Sequence, residues 1–499
     1  MLSVNDLTMV HELNIPTCST SQKAADAPLF AHLIMPVSAT DFRDFLDEVD
    51  ELVQLAPEIL EAIENDLDTH TLAKRRLRMA DRKFLDGRTD ELPELDICEC
   101  NRLAKELSLA VGRPRMAGFS VFVFPMLRGF LGSLTTKTAG RFLSESMSLH
   151  AFLQFRGLKL PAWTTILENV NLVSLATREL IFERQIKNLV LENLDDFQQL
   201  TIDSTAVKAN SSWPTDGKIL TGLLGRAHRL GQKFHLFGLA NFRKGWVPRW
   251  LSEMEKLEFK ICLAAGKAKS RGKLKKYCRQ LLGRAEKAVV SLGGELARFE
   301  KGLEEGMLAP SRRELQKRIR EQICNDVADA QRVIAYARDR VYHDRHLPST
   351  EKVLSLSDGS AAYIKRGERN PLIGYKPQLV RSANGFVTSL IVPEGNAADA
   401  IQLEPAIHSS IRRTGVMPKL VSTDDGYASA KGRDELLNMG VKIISISGAK
   451  GKKLTGLEDW ESEVYCDARR NRSAVVGSMQ FEMNCLKKFW PTTAAAGTR

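Results

Sequence analysis

The spacing of apolar positions changes along the chain, and each change predicts a different kind of element. Between Ala39 and Val53, Phe42, Phe45, Leu46, Val49, Leu52 and Val53 recur three or four apart, with Asp41, Asp44, Asp47, Glu48, Asp50 and Glu51 between them. That is the period of an amphipathic helix with an acidic face, extended or kinked at Pro57. Residues 84–100 are polar, broken by Gly87 and Pro93, and read as a loop. From Asn101 to Ile186 the helical period dominates. Its most apolar stretch, Ala117–Leu134, is interrupted by Pro125 and Arg128, which predicts a buried helix pair rather than a membrane span. Ser144–Gly157 and Pro161–Glu168 read as two helices around a Gly/Pro turn, with Thr165 and Glu168 as a capping box. The pair fits a plain helical hairpin, and it also fits a helix-turn-helix that lays its second helix in a DNA groove.

A different pattern begins at Leu200-Thr-Ile-Asp203-Ser-Thr205, an apolar and β-branched strand with one acid inside it. The expected sheet does not continue, because residues 216–345 return to helical spacing. Their later part reads as a hairpin of Ser291–Gly306 and Ser311–Tyr342, broken at Pro310 and restarted by a capping box of Ser311 and Glu314. Strands resume at Lys352–Leu356, Ala361–Lys365, Ile373–Val380 and Phe386–Val392, the last two joined by the hairpin turn Asn384-Gly385. A helix over Leu403–Arg413 follows. Leu420 and Val421 then form a short buried strand that stops at Asp424, Gly426 lets the backbone turn, and a helix begins near Ser429. Val441–Ile446 is a last strand. An early strand whose partners arrive late predicts an α/β core split by a helical insertion.

At 499 residues the chain is too long for one ordinary core, so two or three domains are expected. With 43% apolar and 27% charged residues, the composition is that of a soluble globular protein. The net charge of +11 suits a polyanionic partner, and its location sharpens the point. Residues 216–345 carry 29 Lys/Arg against 15 Asp/Glu, so the remainder is slightly acidic. In the middle of that segment, Lys267, Lys269, Arg271, Lys273, Lys275, Lys276, Arg279, Arg284 and Lys287 are accompanied by one acid, Glu286. Uncompensated charge of this density predicts contact with a nucleic-acid backbone through phosphate neutralisation. Lys74–Arg78 is a second basic run, which fits a solvated helix face pairing with the acids before it and also fits a DNA contact. Gly448–Lys453 lacks the spacing of a nucleotide-binding P-loop and reads as a DNA phosphate contact or an ordinary surface loop. The eight cysteines include no second Cys/His pair at zinc spacing, which suits reduced thiols. No basic region followed by an apolar run marks a secretion signal at the start.

Asp203 and Asp424 each end a short buried strand. Two such acids on neighbouring strands repel unless a cation lies between them, so they form a candidate hard-metal site for Mg²⁺ or Mn²⁺. Their surroundings are more specific. The order Leu-Thr-Ile-Asp203-Ser-Thr, then Gly374-Tyr-Lys, then Gly395-Asn-Ala-Ala-Asp399, then Thr-Asp424-Asp-Gly-Tyr resembles the DDE transposases of bacterial insertion sequences, over roughly residues 120–490. The resemblance implies a ribonuclease H-like core at residues 197–215 and 347–490, a basic helical insertion at 216–346, and a helical DNA-binding domain at 1–190. It implies metal-dependent cleavage and joining of double-stranded DNA, at element ends and target. The partners it implies are DNA and further copies of the chain assembled on it, in a cytoplasmic, nucleoid-associated setting. Asp203 and Asp424 match the first two ligands of the family's acid triad, and Asp425 occupies a variable position. The third is a Glu in a segment resembling Arg-Ser-Ala-Val-Glu, where this chain reads Arg472-Ser-Ala-Val-Val476. The nearest acid, Glu482, lies six residues on, roughly 9 Å along a helix and about 240° around it. The expected catalytic set is therefore Asp203, Asp424 and Glu482 on a displaced helix, or a damaged copy without its third ligand. The expected DNA contacts are Lys267, Lys269, Arg271, Lys273, Lys275, Lys276, Arg279 and Arg472, with Arg469 and Arg470 near the phosphate. The rival expectations are a transposase-derived DNA-binding protein without cleavage activity, and a metal-dependent nuclease that does not join strands.

Overall fold

The computed structural model describes residues 39–88, 96–107, 115–130, 138, 162–209, 214–237, 246–265, 270–301, 308–365 and 370–471. The N-terminal part is helical throughout its described elements: α1 (Ala39–Leu55), α2 (Glu58–Leu85), α3 (Ile97–Glu106), α4 (Gly118–Phe130), α5 (Trp163–Val170) and α6 (Leu175–Leu191). Pro57 separates α1 from α2 and stands at the N-cap of the second, where its missing N–H breaks no ladder. Leu46, Val49 and Val53 of α1 pack with Ile59, Ile63 and Leu67 of α2 and with the apolar face of α4. The described part of the most apolar stretch is thus one core helix that runs through Pro125, where a helix pair was expected, and residues 131–134 lie outside the described residues. Among the described residues no helix is long and apolar enough to cross a membrane. Helix α5 starts at Trp163 after Ala162, so Thr165 and Glu168 lie inside it and form no capping box. Residues 144–157, the other half of that pair, lie outside the described residues.

Four helices follow the first strand: α7 (Asp216–Gly231), α8 (Trp246–Ala264), α9 (Arg271–Lys301) and α10 (Pro310–His343). Leu220, Leu223 and Leu224 of α7, Leu282, Ala285 and Leu292 of α9, and Ile323 and Val333 of α10 bury one another in a core separate from that of α1 to α6. Helix α9 runs unbroken through Ser291, where the sequence pattern placed a start. Helix α10 begins at Pro310 itself, the first-turn position at which proline costs least. No capping box forms at Ser311 and Glu314. The Ser311 amide instead donates to Asp81 Oδ1 of α2 at 2.8 Å, an anion at the positive end of the helix supplied from 230 residues away in sequence.

The strands are β1 (Gln199–Ser204), β2 (Val207–Lys208), β3 (Ala362–Ile364), β4 (Leu372–Tyr375), β5 (Gln378–Ser382), β6 (Val387–Ile391), β7 (Leu420–Thr423) and β8 (Ile443–Ile446). Five of them form a mixed sheet in the order β6-β5-β1-β7-β8, and three form a small sheet in the order β2-β4-β3. β1 pairs antiparallel with β5 and parallel with β7, and β7 pairs parallel with β8. Gly385, at φ +96°, makes the tight β5–β6 turn. Parallel neighbours need crossovers, supplied by α11 (Asp399–Thr414) before β7 and α12 (Ala430–Met439) before β8. Ile202, Val380, Val421 and Ile444 of the sheet close a third core with Leu403, Ala406 and Ile407 of α11 and Leu436 of α12. Arg413 of α11 donates to Glu179 of α6 at 2.7 Å and joins the sheet layer to the N-terminal helices.

The sheet differs from the sequence pattern in two places. Lys352–Leu356 forms no strand; Ser355 Oγ accepts the Asp358 amide at 3.2 Å, a local turn that competes with ladder pairing. Ile373–Val380 is two strands in two sheets, divided at Lys376-Pro377. Gly374 lies against Val207, and a β-carbon there would sit 1.9 Å from the Val207 carbonyl oxygen. Gly374→Ala is therefore expected to part β2 from β4 and to lower stability by about 1–3 kcal/mol, read as a lower urea midpoint with the native helix signal retained.

Candidate active site

Sheet geometry brings the two aspartates together. In the parallel pairing of β1 and β7, Thr201 is opposite Ser422, and continuing that register by two residues sets Asp203 beside Asp424. Alternate residues of a strand share a face, so Asp203 follows Thr201 and Asp424 follows Ser422. On that face Thr201 Oγ1 and Ser422 Oγ are 2.9 Å apart, so the two side-chain rows converge. Neighbouring strands are about 4.8 Å apart, close enough for two carboxylates to share a hard cation. Both aspartates are half-buried. Asp424 also caps the turn that follows it, its Oδ1 accepting the Gly426 amide at 2.9 Å.

Beside this pair lies a buried network of Lys376, Gln378, Asp399 and Tyr427. Tyr427 and Gln378 are fully buried, and the Tyr427 hydroxyl donates to Gln378 Oε1. Gln378 Nε2 in turn donates to Asp399 Oδ1 at 3.0 Å, while Lys376 Nζ is 2.8 Å from Asp399 Oδ2. Burial first, and then the negative charge of Asp399, Asp203 and Asp424, pushes the Tyr427 phenol far above its ordinary range and keeps it protonated as a donor. A β-carbon on Gly426 would sit 3.0 Å from Asp424 Oδ1 and 3.2 Å from Asp399 Oδ2, so both carboxylates face the same few ångströms of space. Each residue of Gly374-Tyr-Lys thus has a distinct task. Gly374 permits close strand approach, Tyr375 donates to the buried Asp358, and Lys376 pairs with Asp399. Lys376, Gln378, Asp399 and Tyr427 were not among the residues assigned a role from sequence, although three of them lie within the motifs that carried the resemblance.

Asp425 has a different role from its neighbour. Its Oδ1 accepts the amides of Lys450 at 2.8 Å and Gly451 at 3.1 Å, at the start of α13 (Ala449–Thr455). The Gly448–Lys453 segment is therefore helical, not a loop. Gly448, at φ +101°, lets the chain pass where a β-carbon would be 2.6 Å from Asp425 Cγ. Lys450, Lys452 and Lys453 stay exposed.

Of the basic residues, Lys273, Lys276 and Arg279 are exposed and Lys275 is half-buried, all in the first turns of α9. Part of the run is compensated by other helices: Arg271 pairs with Asp344 at 2.8 Å and Arg284 with Glu253 at 2.5 Å. Arg279 lies over the Tyr342 ring at 5.6 Å. Lys267 and Lys269 lie outside the described residues, as do Arg472, Val476 and Glu482. Arg469 stacks on Trp460 at 3.8 Å and donates to its carbonyl, and Arg470 pairs with Asp467, so both have intramolecular partners.

Carboxylate oxygens are the donors that Mg²⁺ or Mn²⁺ prefers, and Asp203 and Asp424 offer them from adjacent strands. Among the described residues no group of three His, Cys, Asp or Glu side chains is disposed to hold a metal ion. Compared with known proteins, the chain matches no family model, no curated protein and no solved structure.

Proposed function

We propose that this chain is a transposase of the DDE type, which binds DNA ends and carries out metal-dependent strand cleavage and transfer with Asp203 and Asp424 as its first two cation-binding carboxylates. The observation that supports this reading is the parallel pairing of β1 with β7 up to Thr201 opposite Ser422, which, continued two residues along each chain, brings the two motif aspartates to neighbouring positions. The sheet order supports a ribonuclease H-like core, with β1 central, an antiparallel hairpin on one side and two parallel strands on the other, and helices α7 to α10 inserted after β1.

Asp203 and Asp424 would hold Mg²⁺ or Mn²⁺, which when bound lowers the pKa of an attacking water or DNA 3′-hydroxyl and stabilises the leaving oxygen. The exposed bases at the start of α9 fit phosphate contact for a second reason. Lysines at the positive end of a helix are opposed by its dipole, and an anion there relieves both repulsions. Lys267, Lys269 and Arg472 join this contact in the reading, and two DNA ends call for more than one copy of the chain.

Val476 stands where the resemblance places the third carboxylate, which favours a second reading: a degenerate copy that binds DNA without cutting it. The test uses purified full-length protein with Mn²⁺ and a supercoiled plasmid carrying its own coding region and flanking DNA. Cation-dependent nicks and joined ends are expected of an active transposase, with Glu482 as the third ligand. Binding without nicking, with nicks gained in Val476→Glu, identifies the degenerate copy. Nicks without joined ends mark a nuclease, and absence of DNA binding overturns the proposal.

A further inference from the structure

Lys376 is almost buried, its Nζ is 2.8 Å from Asp399 Oδ2, and it also reaches the Ala397 carbonyl at 3.4 Å. The segment that carries it is held against the end of β1, because the Thr205 amide donates to the Pro377 carbonyl at 3.1 Å, two residues past Asp203. Asp399, the first residue of α11, has both oxygens engaged, Oδ1 by Gln378 and Oδ2 by Lys376. Its Oδ2 nevertheless borders the Gly426 turn on which Asp424 Oδ1 also closes. A carboxylate thus stands at the edge of the Asp203–Asp424 pair and is neutralised by a lysine of its own.

We propose that Lys376 is a positioning residue that withholds Asp399 from the cation site and so keeps the divalent ion weakly bound and exchangeable. The inference rests on the assignment of Asp203 and Asp424 as cation ligands. Its physical basis is that a buried carboxylate whose partner is removed needs another cation, and the nearest place to find one is the Asp203–Asp424 pair. Ligand charge count is the chief control on how tightly an oxygen site holds a divalent cation.

The test is Mn²⁺ binding to the full chain, followed by the electron paramagnetic resonance signal of the free ion, in a double-mutant cycle. Lys376→Met is expected to tighten Mn²⁺ binding about tenfold, by adding a carboxylate to the site. Asp399→Asn alone is expected to leave the midpoint within about twofold of wild type, yet to remove the whole gain when added to Lys376→Met; that non-additivity marks a ligand exchange. Lys376→Arg is expected to keep the wild-type midpoint. The proposal is overturned if Lys376→Met binds Mn²⁺ no more tightly than wild type. It is also overturned if Asp399→Asn weakens binding equally in both backgrounds, as charge at a distance would. If Lys376→Met does not fold alone, Mn²⁺ is expected to restore its circular dichroism, and failure to do so counts equally against the idea. Wild-type protein that binds no Mn²⁺, or whose binding survives Asp203→Asn with Asp424→Asn, overturns the assignment of the site itself.

Discussion

Asp203→Asn is expected to lower cation-dependent DNA cleavage by at least about a hundredfold while leaving the cation-free protein as stable as wild type or more so. Asparagine keeps the shape of the side chain and its place in β1, but it removes one of two charges that the β1–β7 register, continued two residues past Thr201 and Ser422, brings to neighbouring positions. Repulsion between adjacent carboxylates opposes folding when no cation is bound, so its removal raises the melting temperature in chelator. In Mn²⁺ the order reverses, because only wild type gains from ligand binding to the native state. Asp424→Asn is expected to behave alike, since asparagine still accepts the Gly426 amide as a cap. Asp425→Ala is the contrasting neighbour. It loses the acceptor for the Lys450 and Gly451 amides and about 1 kcal/mol of stability, with cleavage retained. Gel quantification of nicked plasmid, beside melting curves in chelator and in Mn²⁺, checks all three. Equal loss of cleavage in Asp425→Ala would remove the distinction between the two acids.

How far this site could be read from the sequence depended on the kind of interaction involved. The Asp203 and Asp424 strands carry a local signal that is not specific alone, a short apolar run with an acid near its end, followed at Asp424 by a glycine turn, and both elements appear where the pattern placed them. The pairing of those strands across more than two hundred residues has no local signal; it came from the order of motifs. The hairpin at Asn384-Gly385 was legible for a chemical reason, since Gly385 takes φ +96°. The capping boxes at Thr165 and Ser311 failed because a cap depends on where the helix begins, and one of those starts is capped by Asp81 of a distant helix. Lys376, Asp399 and Tyr427 lie in recognisable motifs and Gln378 just outside one, but what joins them is a set of contacts between separate elements. Gly448–Lys453 read as a loop because its glycines suggest a turn, whereas they serve close packing beside a short helix: a β-carbon at Gly451 would be 2.0 Å from the Ile446 carbonyl oxygen.

Arg226→Ala is expected to cost about 3–5 kcal/mol and to loosen the helical insertion from the rest of the chain. Arg226 of α7 grips Asp326 of α10 with Nε at 2.9 and 3.2 Å from the two carboxylate oxygens and Nη2 at 2.6 Å from Oδ1. Its Nη1 donates to the Leu356 carbonyl at 2.6 Å, in the segment that returns from the insertion to β3. One guanidinium thus holds two insertion helices and the segment that leaves the insertion. Gly222, one turn before it, makes room for the Leu356 side chain, which would be 2.2 Å from a β-carbon there. The two partners are unequal, and that sets the order of the variants. The Asp326 side chain is 1% exposed and that of Arg226 is 32% exposed, so removing the arginine strands a buried carboxylate while removing the aspartate leaves a guanidinium that reaches water. Asp326→Ala should therefore cost less than Arg226→Ala. The apolar pair Arg226→Met with Asp326→Leu should cost less than Arg226→Ala, because no buried charge remains unpaired. Urea midpoints of the four proteins check the ranking. An Asp326→Ala variant less stable than Arg226→Ala would mean that the carboxylate, through its bond from Gln322 at 2.8 Å, organises α10 in a way the ion pair does not account for.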